Sequence, residues 1–390
     1  MERASLGRRE ERRREERRRR SLRRRRIGLG ILIGLAAGAF AFGAALGDGS
    51  APQEKPSVAS TLPLRQLAGE RLIAGVPGTG VPPQLRAAIH RGELAGVVLF
   101  AANFPDRAAG RRLIAQLQAI RCPPRLRAPL LIMVDQEGGQ VKRVDGAPTA
   151  SAHEMGEKGG AFSRRQGGRT AVNLSQLGVN VDLAPVLDVG RPGGVIAATE
   201  RSFGATAKRV AATAVPFAQG LQAGGVGATA KHFPGFGAAR ENTDFAVQRI
   251  GLSKQELRRV DEAPYRAYVA AGGDLVMLST AIYRAFSNKP AAFTRALATG
   301  ELRHRLGFEG VSITDALETV AVEDFGGPKA AALAAARAGT DLLLFTDLGS
   351  VAAAREALVA KLRAGSLDRA AFEAAAQRVL DLRARLGNRG

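Results

Sequence analysis

Short apolar runs recur along the chain from residue 62 onward, and polar stretches separate them. The runs lie at residues 71–75, 96–100, 130–135, 180–186, 227–233, 274–280, 310–317 and 341–345. Runs of this length, rich in Val, Ile and Leu, are typical of strands buried on both faces of a parallel sheet. The pattern therefore predicts eight strands.

The stretches between the runs carry apolar residues at helical spacing. They include residues 164–177, 206–223, 254–271 and 328–338, and a final amphipathic segment covers residues 368–386. Alternating strands and helices build parallel α/β folds, and no GxGxxG turn follows any of the strands. We therefore predict an α/β fold of the (β/α)8, TIM-type barrel class over residues 62–388, rather than a doubly wound sheet.

A different pattern precedes the barrel. Residues 27–46 contain no charge, and twenty helical residues span about the thickness of a hydrocarbon core. The basic segment at residues 1–26 places the N-terminus in the cytoplasm. We predict one transmembrane anchor followed by a linker at residues 47–61, with cleavage of a signal near Ala44 and Ala45 as the alternative. In either case the barrel lies outside the cytoplasm, bound to the cell membrane or secreted.

The net charge of +21 is concentrated at the N-terminus, where residues 1–26 hold fourteen Arg and five Glu. The remaining chain is only moderately basic, and it lacks interleaved aromatic and basic residues or a recognition motif for nucleic acid. We expect no nucleic-acid partner.

Cysteine and histidine limit the other chemistries. Cys122 is the only cysteine, which excludes an intrachain disulfide. The four histidines show neither HxH nor HExxH spacing, so we expect no catalytic metal.

Polar residues stand where three predicted strands end. Asp135 ends the third run, Lys231 and His232 lie in the fifth, and Asp315 lies in the seventh. The carboxyl ends of barrel strands meet at one face, where carboxylates and hydrogen-bond donors suit sugar chemistry. Considered singly, Asp315 could instead cap a helix, and His232 could be a hydrogen-bonded histidine of the barrel.

Five motifs, in this order, carry a resemblance: QLAGERLIAGVPGT (66–79) with RGELAGVVLFAANF (91–104), VDQEGGQVKR (134–143), ERSFG (200–204), KHFPGFG (231–237) and GVSITDAL (310–317). Together they resemble family 3 glycoside hydrolases, specifically the single-barrel β-N-acetylhexosaminidases, over residues 62–388. The resemblance implies that Asp315 is the nucleophile of a retaining reaction. It also implies that the terminal sugar is bound by Asp135, Arg143, Arg201, Lys231 and His232.

The activity that the resemblance implies is release of terminal β-linked N-acetylglucosamine by a retaining exo-glycosidase without a cofactor. Its glycan substrates would be peptidoglycan fragments or chitooligosaccharides, and export beside a cell wall favours the former. We expect the protein to be a monomer.

The chain departs from the family pattern around the proton donor. The family normally has Asp-Ser/Thr-His after KHFPG, whereas the matching residues here are Asn242, Thr243 and Asp244. Three further positions differ from common family residues: Gln140, Phe236 and Thr280.

Three interpretations remain open. Asp244 could transfer the proton if burial against Phe236 and Phe245 raises its pKa. Alternatively, the barrel could bind glycans without efficient turnover, or it could act on another sugar, as β-glucosidases do.

Overall fold

The computed structural model describes residues 57–388, and eight parallel strands form its centre. In chain order they are β1 (Leu72–Gly75), β2 (Gly96–Leu99), β3 (Leu131–Val134), β4 (Val181–Asp182), β5 (Gly227–Phe233), β6 (Leu275–Leu278), β7 (Val311–Thr314) and β8 (Leu343–Phe345). Each predicted run contains one of these strands, so the prediction of eight strands is confirmed.

The strands follow one another around a nearly closed barrel. Their order is β7-β6-β5-β4-β3-β2-β1-β8, with every pairing parallel. A single parallel bridge between Ile313 and Leu342 joins the two ends, and the Thr314 amide donates to the Leu342 carbonyl at 3.0 Å. The chain therefore has the predicted barrel architecture, closed weakly between β7 and β8.

The apolar runs are continuous because both faces of each strand are buried. In β1, for example, Ile73 belongs to the barrel interior, while Leu72 and Ala74 belong to the layer between strands and helices. Successive side chains of a strand point to opposite faces, so each strand supplies both cores.

Helical segments connect the strands and cover the outside of the barrel. They are Leu64–Gly69, Pro83–His90, Arg107–Gln118, Ala152–Lys158, Gly160–Ser175, Val195–Ala198, Ala207–Ala223, Lys254–Glu256, Ala263–Ala270, Val320–Glu323, Gly327–Ala338, Leu348–Arg363 and Arg369–Gly387, with π-helical segments at Leu257–Asp261 and Ala296–Arg305. Short 3₁₀ turns lie at Ala59–Thr61, Ala101–Asn103, Pro124–Leu126 and Ala291–Phe293.

Two predicted elements are shorter than expected, and proline contributes to both differences. The predicted strand at residues 180–186 forms a regular strand only over Val181–Asp182, with one isolated bridge from Val186 to Lys231, and Pro185 has no N–H to donate to a neighbouring strand. The predicted helix at residues 254–271 is interrupted by Leu257–Asp261, after which Pro264 opens Ala263–Ala270.

The final helix closes the end of the barrel at which the strands begin. Val379, Leu382 and Leu386 of Arg369–Gly387 belong to the same buried cluster as the interior strand residues. This helix fills the barrel end opposite the site described below.

The packed part of the chain starts before residue 62, because Ala59 is fully buried and its amide donates to Gln377 Oε1 at 3.0 Å. No helix within residues 57–388 is long and apolar enough to cross a membrane. The predicted basic segment at residues 1–26, the predicted span at residues 27–46 and most of the predicted linker lie outside the described residues.

Candidate active site

A cavity of about 370 Å³ opens at the carboxyl ends of the strands. Its floor is formed by the interior side chains Val98, Leu183, Met277 and Leu344. The seven residues predicted for the site all line it: Asp135, Arg143, Arg201, Lys231, His232, Asp244 and Asp315. The structure thus brings these residues together, while their roles stay predictions.

A tight hairpin after β3 shapes one wall. Gln136–Gly138 pairs with Val141–Lys142, and the connecting Gly138 and Gly139 have φ angles of 96° and 56°. Glycine adopts such positive φ angles without the steric cost that a side chain brings. The Gln136 side chain ties the hairpin down by donating to the Val144 carbonyl at 2.7 Å.

The hairpin carries Glu137, which anchors a network of charges. Arg201 forms two parallel hydrogen bonds with Glu137, both at 2.8 Å. Lys231 Nζ lies 2.6 Å from Glu137 Oε1 and 2.6 Å from Asp135 Oδ1. Arg143 approaches Asp135 Oδ2 at 3.5 Å. Glu137 thereby orients two predicted sugar-binding cations and leaves the more exposed Asp135 available to a ligand.

Opposing effects set the pKa values in this network. Burial would raise the pKa of Glu137, but the positive charges of Arg201 and Lys231 outweigh burial and hold it below its usual value. Burial would lower the pKa of Lys231, yet Asp135 and Glu137 raise it. Glu137 and Lys231 are therefore charged at neutral pH.

His232 is held by a buried carboxylate. Its Nδ1 lies 2.7 Å from Asp188 Oδ2, while Asp188 Oδ1 accepts the backbone N–H groups of His232 and Phe236 at 3.1 and 2.6 Å. An ionised carboxylate can only accept hydrogen bonds, so Nδ1 is the donor to Asp188. In the neutral ring the hydrogen of His232 therefore resides on Nδ1. Nε2 is then the ring atom that remains for a ligand.

Asp315 directly follows β7 at the edge of the cavity. Its Oδ1 accepts the Ala316 amide at 2.8 Å. No group within residues 57–388 donates a hydrogen bond to Oδ2. One carboxylate oxygen is thus held in place, and the other is available for chemistry.

The loop after β5 brings Asn242 and Asp244 to the rim. Asp244 Oδ2 accepts the Asn242 side-chain amide at 2.8 Å. Partial burial and the charge of Asp315 raise the pKa of Asp244, although the bond from Asn242 opposes the shift. Asp244 and Asp315 therefore interact electrostatically across the cavity.

Burial of Asp244 against Phe236 and Phe245 is not found, because Asp244 lies exposed at the rim. Phe236 is buried, with its ring centroid 5.6 Å from that of His232. Phe245, however, is 80% exposed and shields no carboxyl group from water. Its direction depends on the path of the loop, which apolar periodicity does not reveal.

Glu318 is a further carboxyl of the cavity that sequence reasoning did not select. It lies three residues after Asp315, and its carboxylate accepts the Thr346 amide at 3.0 Å. Burial raises its pKa to about 6, against the hydrogen bonds from the amides of Thr346 and Asp347.

Three relevant carboxylates were thus missed: Glu137, Asp188 and Glu318. Glu137 could have been found, because it lies two residues beyond Asp135 in an extended segment and so on the same side. Asp188 and Glu318 lie in irregular segments, where no periodicity indicates side-chain direction.

Comparison with known proteins identifies the family. Residues 76–382 match the glycosyl hydrolase family 3 N-terminal domain. An uncharacterized secreted glycosyl hydrolase from Arthroderma benhamiae is 37% identical over 341 residues, covering 85% of this chain and 96% of that relative. A β-hexosaminidase from Stenotrophomonas maltophilia is 35% identical over 284 residues, covering 70% of this chain and 82% of that enzyme.

A solved structure shows the same fold. The family 3 β-N-acetylglucosaminidase from Paenibacillus sp. str. FPU-7 superimposes with a TM-score of 0.78 at 32% identity. The match covers 83% of this chain, which spans only 63% of the Paenibacillus chain. From the matched domain, the two relatives and the shared barrel it follows that this chain is a glycoside hydrolase and belongs to glycosyl hydrolase family 3.

Proposed function

We propose that this chain is a retaining exo-β-N-acetylglucosaminidase in which Asp315 is the nucleophile. The observation that carries the proposal is the position of Asp315, whose Oδ2 accepts no bond from residues 57–388 and lines the same cavity as the charge network. The names of the two enzymes compared above support this sugar specificity.

The proposed reaction has two steps. Asp315 Oδ2 attacks the anomeric carbon and displaces the leaving group, which forms a covalent glycosyl-enzyme. Water then hydrolyses the ester, and the product regains the β configuration. The cavity ends on Val98, Leu183, Met277 and Leu344, and this closed floor suits removal of a single terminal sugar.

The charge network would bind that sugar. Asp135 and Nε2 of His232 accept hydrogen bonds from hydroxyl groups, while Arg143, Arg201 and Lys231 donate to sugar oxygens and to the acetamido carbonyl. Because Glu137 and Asp188 hold three of these side chains, Arg201, Lys231 and His232, before the ligand arrives, little orientational freedom is lost on binding.

Asp244 is the proposed proton donor. Its raised pKa increases the protonated fraction near neutral pH, as a general acid requires. After the first step the same group, now ionised, activates the water. Asp244 would therefore replace the histidine that the family pattern places here.

The proposed substrate follows from the predicted export of the barrel. Residues 27–46 would export the barrel, either as a retained anchor or as a cleaved signal. The Arthroderma benhamiae relative is described as secreted, which fits the second form. Beside a cell wall, peptidoglycan fragments are the favoured substrate and chitooligosaccharides the second candidate.

The deciding experiment measures hydrolysis by the full-length chain and by Asp315→Asn. We expect the wild-type chain to release nitrophenol from nitrophenyl β-N-acetylglucosaminide, with a β-configured first product by NMR. We expect Asp315→Asn to lower kcat at least about 10³-fold. Faster turnover of nitrophenyl β-glucoside than of nitrophenyl β-N-acetylglucosaminide would indicate a changed sugar specificity. Binding of chitooligosaccharides without any turnover would overturn the proposal in favour of a glycan-binding barrel.

A further inference from the structure

A second cavity, of about 430 Å³, lies at the opposite end of the barrel. We call it the basal pocket. It adjoins the amino ends of β1 and β8, because its lining includes Arg71, directly before β1, and Gly339, shortly before β8. Six basic side chains line it: Arg71, Arg295, Arg303, His304, Arg337 and Arg378. The only carboxylate in the lining is Asp368.

Neither nearby carboxylate balances this charge. Asp368 caps the final helix, where its Oδ1 accepts the Ala371 amide at 3.0 Å. Asp341, buried beside the pocket, accepts two bonds from Arg378 at 3.0 and 2.7 Å through Oδ1. Its Oδ2 accepts from Arg303 and from the Ser312 amide and hydroxyl. Both Asp341 oxygens are thus fully used.

The innermost guanidinium groups, Arg71 and Arg303, also donate to neutral acceptors. Arg71 donates to the main-chain carbonyls of Thr340 and Asp341. Arg303 donates to the carbonyls of Phe308 and Gly310 at 2.8 and 2.6 Å, while its buried Nε has no partner within residues 57–388.

Burial is the main cause of the lowered pKa values of these two groups. Burial, together with the charge of Arg378, lowers the pKa of Arg71 to about 10, and the same causes lower the pKa of Arg303. The nearby Asp341 opposes both shifts without cancelling them. An anion bound in the basal pocket would favour the charged form of both guanidinium groups.

The rim adds donors that are free to bind. Arg295, His304 and Arg337 are exposed, and none forms an ion pair with any carboxylate of the described chain. A guanidinium group offers a planar pair of N–H donors that matches two oxygens of a phosphate.

We propose that the basal pocket binds a phosphate group, either as the free anion or as a phosphate monoester. The site is separate from the catalytic cavity, so the proposal does not depend on the proposed function.

The test follows thermal unfolding of the full-length chain, by circular dichroism, as inorganic phosphate or glycerol 3-phosphate is added at constant ionic strength. Binding to the folded state raises Tm in a saturable manner, whereas sodium chloride supplies the reference for general screening. We expect the double substitution Arg295→Gln and Arg337→Gln to raise the apparent Kd at least about tenfold, since two charge-assisted hydrogen bonds are lost.

Arg112→Gln, on the exposed face of Arg107–Gln118, is the matched control and should retain the phosphate effect. Arg337→Lys keeps the charge and should lose less affinity than Arg337→Gln, which separates binding from a folding defect. Tighter binding of glycerol 3-phosphate identifies a monoester as the ligand, and equal binding identifies the free anion. No Tm rise beyond that in sodium chloride, or an unchanged rise in the double variant, overturns the proposal.

Discussion

Glu137 combines a structural and a functional position. Its carboxylate is only 2% exposed and neutralises Arg201 and Lys231 together. Removing one charge from a buried ion network leaves its partners desolvated without compensation, which costs more than the loss of a surface ion pair.

We therefore expect Glu137→Gln to reduce the free energy of unfolding by about 3 kcal/mol at pH 7. The folded-state pKa of Glu137 is depressed, so its stabilising contribution is complete above its unfolded pKa of about 4.3 and declines as the pH falls below that value. The deficit of the variant should accordingly shrink below pH 4.

Urea unfolding at pH 7 and below pH 4 measures how much lower the free energy of unfolding of Glu137→Gln is than that of the wild type. Glu157→Gln provides the control, because the Glu157 side chain is 67% exposed, and we expect a change within about 0.5 kcal/mol. A deficit of Glu137→Gln that stays constant with pH would contradict the assigned ionisation.

Asp244 and Glu318 both have raised pKa values, and their pH profiles distinguish them. A general acid must be protonated, so kcat/KM should fall as the pH rises through its pKa. We expect Asp244→Asn to remove this alkaline decline and to slow a disaccharide about 10²-fold or more, with a smaller loss on aryl glycosides that have good leaving groups.

Glu318→Gln should keep the alkaline decline, because the amides of Thr346 and Asp347 hold its carboxylate at the rim. If the decline persists in Asp244→Asn and disappears in Glu318→Gln, Glu318 is the proton donor. The comparison requires steady-state kinetics from about pH 4 to pH 9.

The final helix, Arg369–Gly387, stabilises the barrel by packing against its interior at the end where the strands begin. Leu382 is 2% exposed and packs into the interior cluster, whereas Asp381 on the same helix faces solvent. Leu382→Ala should lower the free energy of unfolding by about 3 kcal/mol, through lost burial and a cavity. Asp381→Ala should change it by less than about 0.5 kcal/mol. Similar effects of both substitutions in urea unfolding would show that the helix end is not packed as described.

The hairpin after β3 links backbone geometry to ligand binding. A Cβ at Gly138 would lie 2.3 Å from the Ala150 carbonyl oxygen, in addition to the cost of a φ of 96°. We expect Gly138→Ala to displace Glu137 and to raise KM about tenfold or more. At Gly159 the φ is 85° and a Cβ would meet nothing within 4 Å. Gly159→Ala should therefore destabilise the protein by about 1 kcal/mol without changing KM.

The chain carries a basic segment at residues 1–26 and an uncharged, apolar segment at residues 27–46 before its barrel. We expect the full-length protein to remain in the membrane fraction after alkaline carbonate extraction, with residues 57–388 accessible to external protease. Leu32→Arg together with Leu35→Arg should abolish this retention. Recovery from the medium of a chain beginning after Ala45 would instead establish the secreted form.

The order of strands and helices could be predicted from the sequence, because the apolar period depends on local backbone geometry and on burial. The placement of Asp135, Lys231 and Asp315 in one cavity was predictable as well, since parallel strands present their carboxyl ends at a common face. The five motifs carried the predicted family.

Which side chains contact each other was decided only by the tertiary structure. Arg201 meets Glu137 across 64 positions of the chain, and His232 meets Asp188 across 44. The outward direction of Phe245 and the charge excess of the basal pocket likewise depend on how loops and helices pack. Periodicity reports which face of an element is buried, whereas charge pairing depends on the distances between elements far apart in sequence.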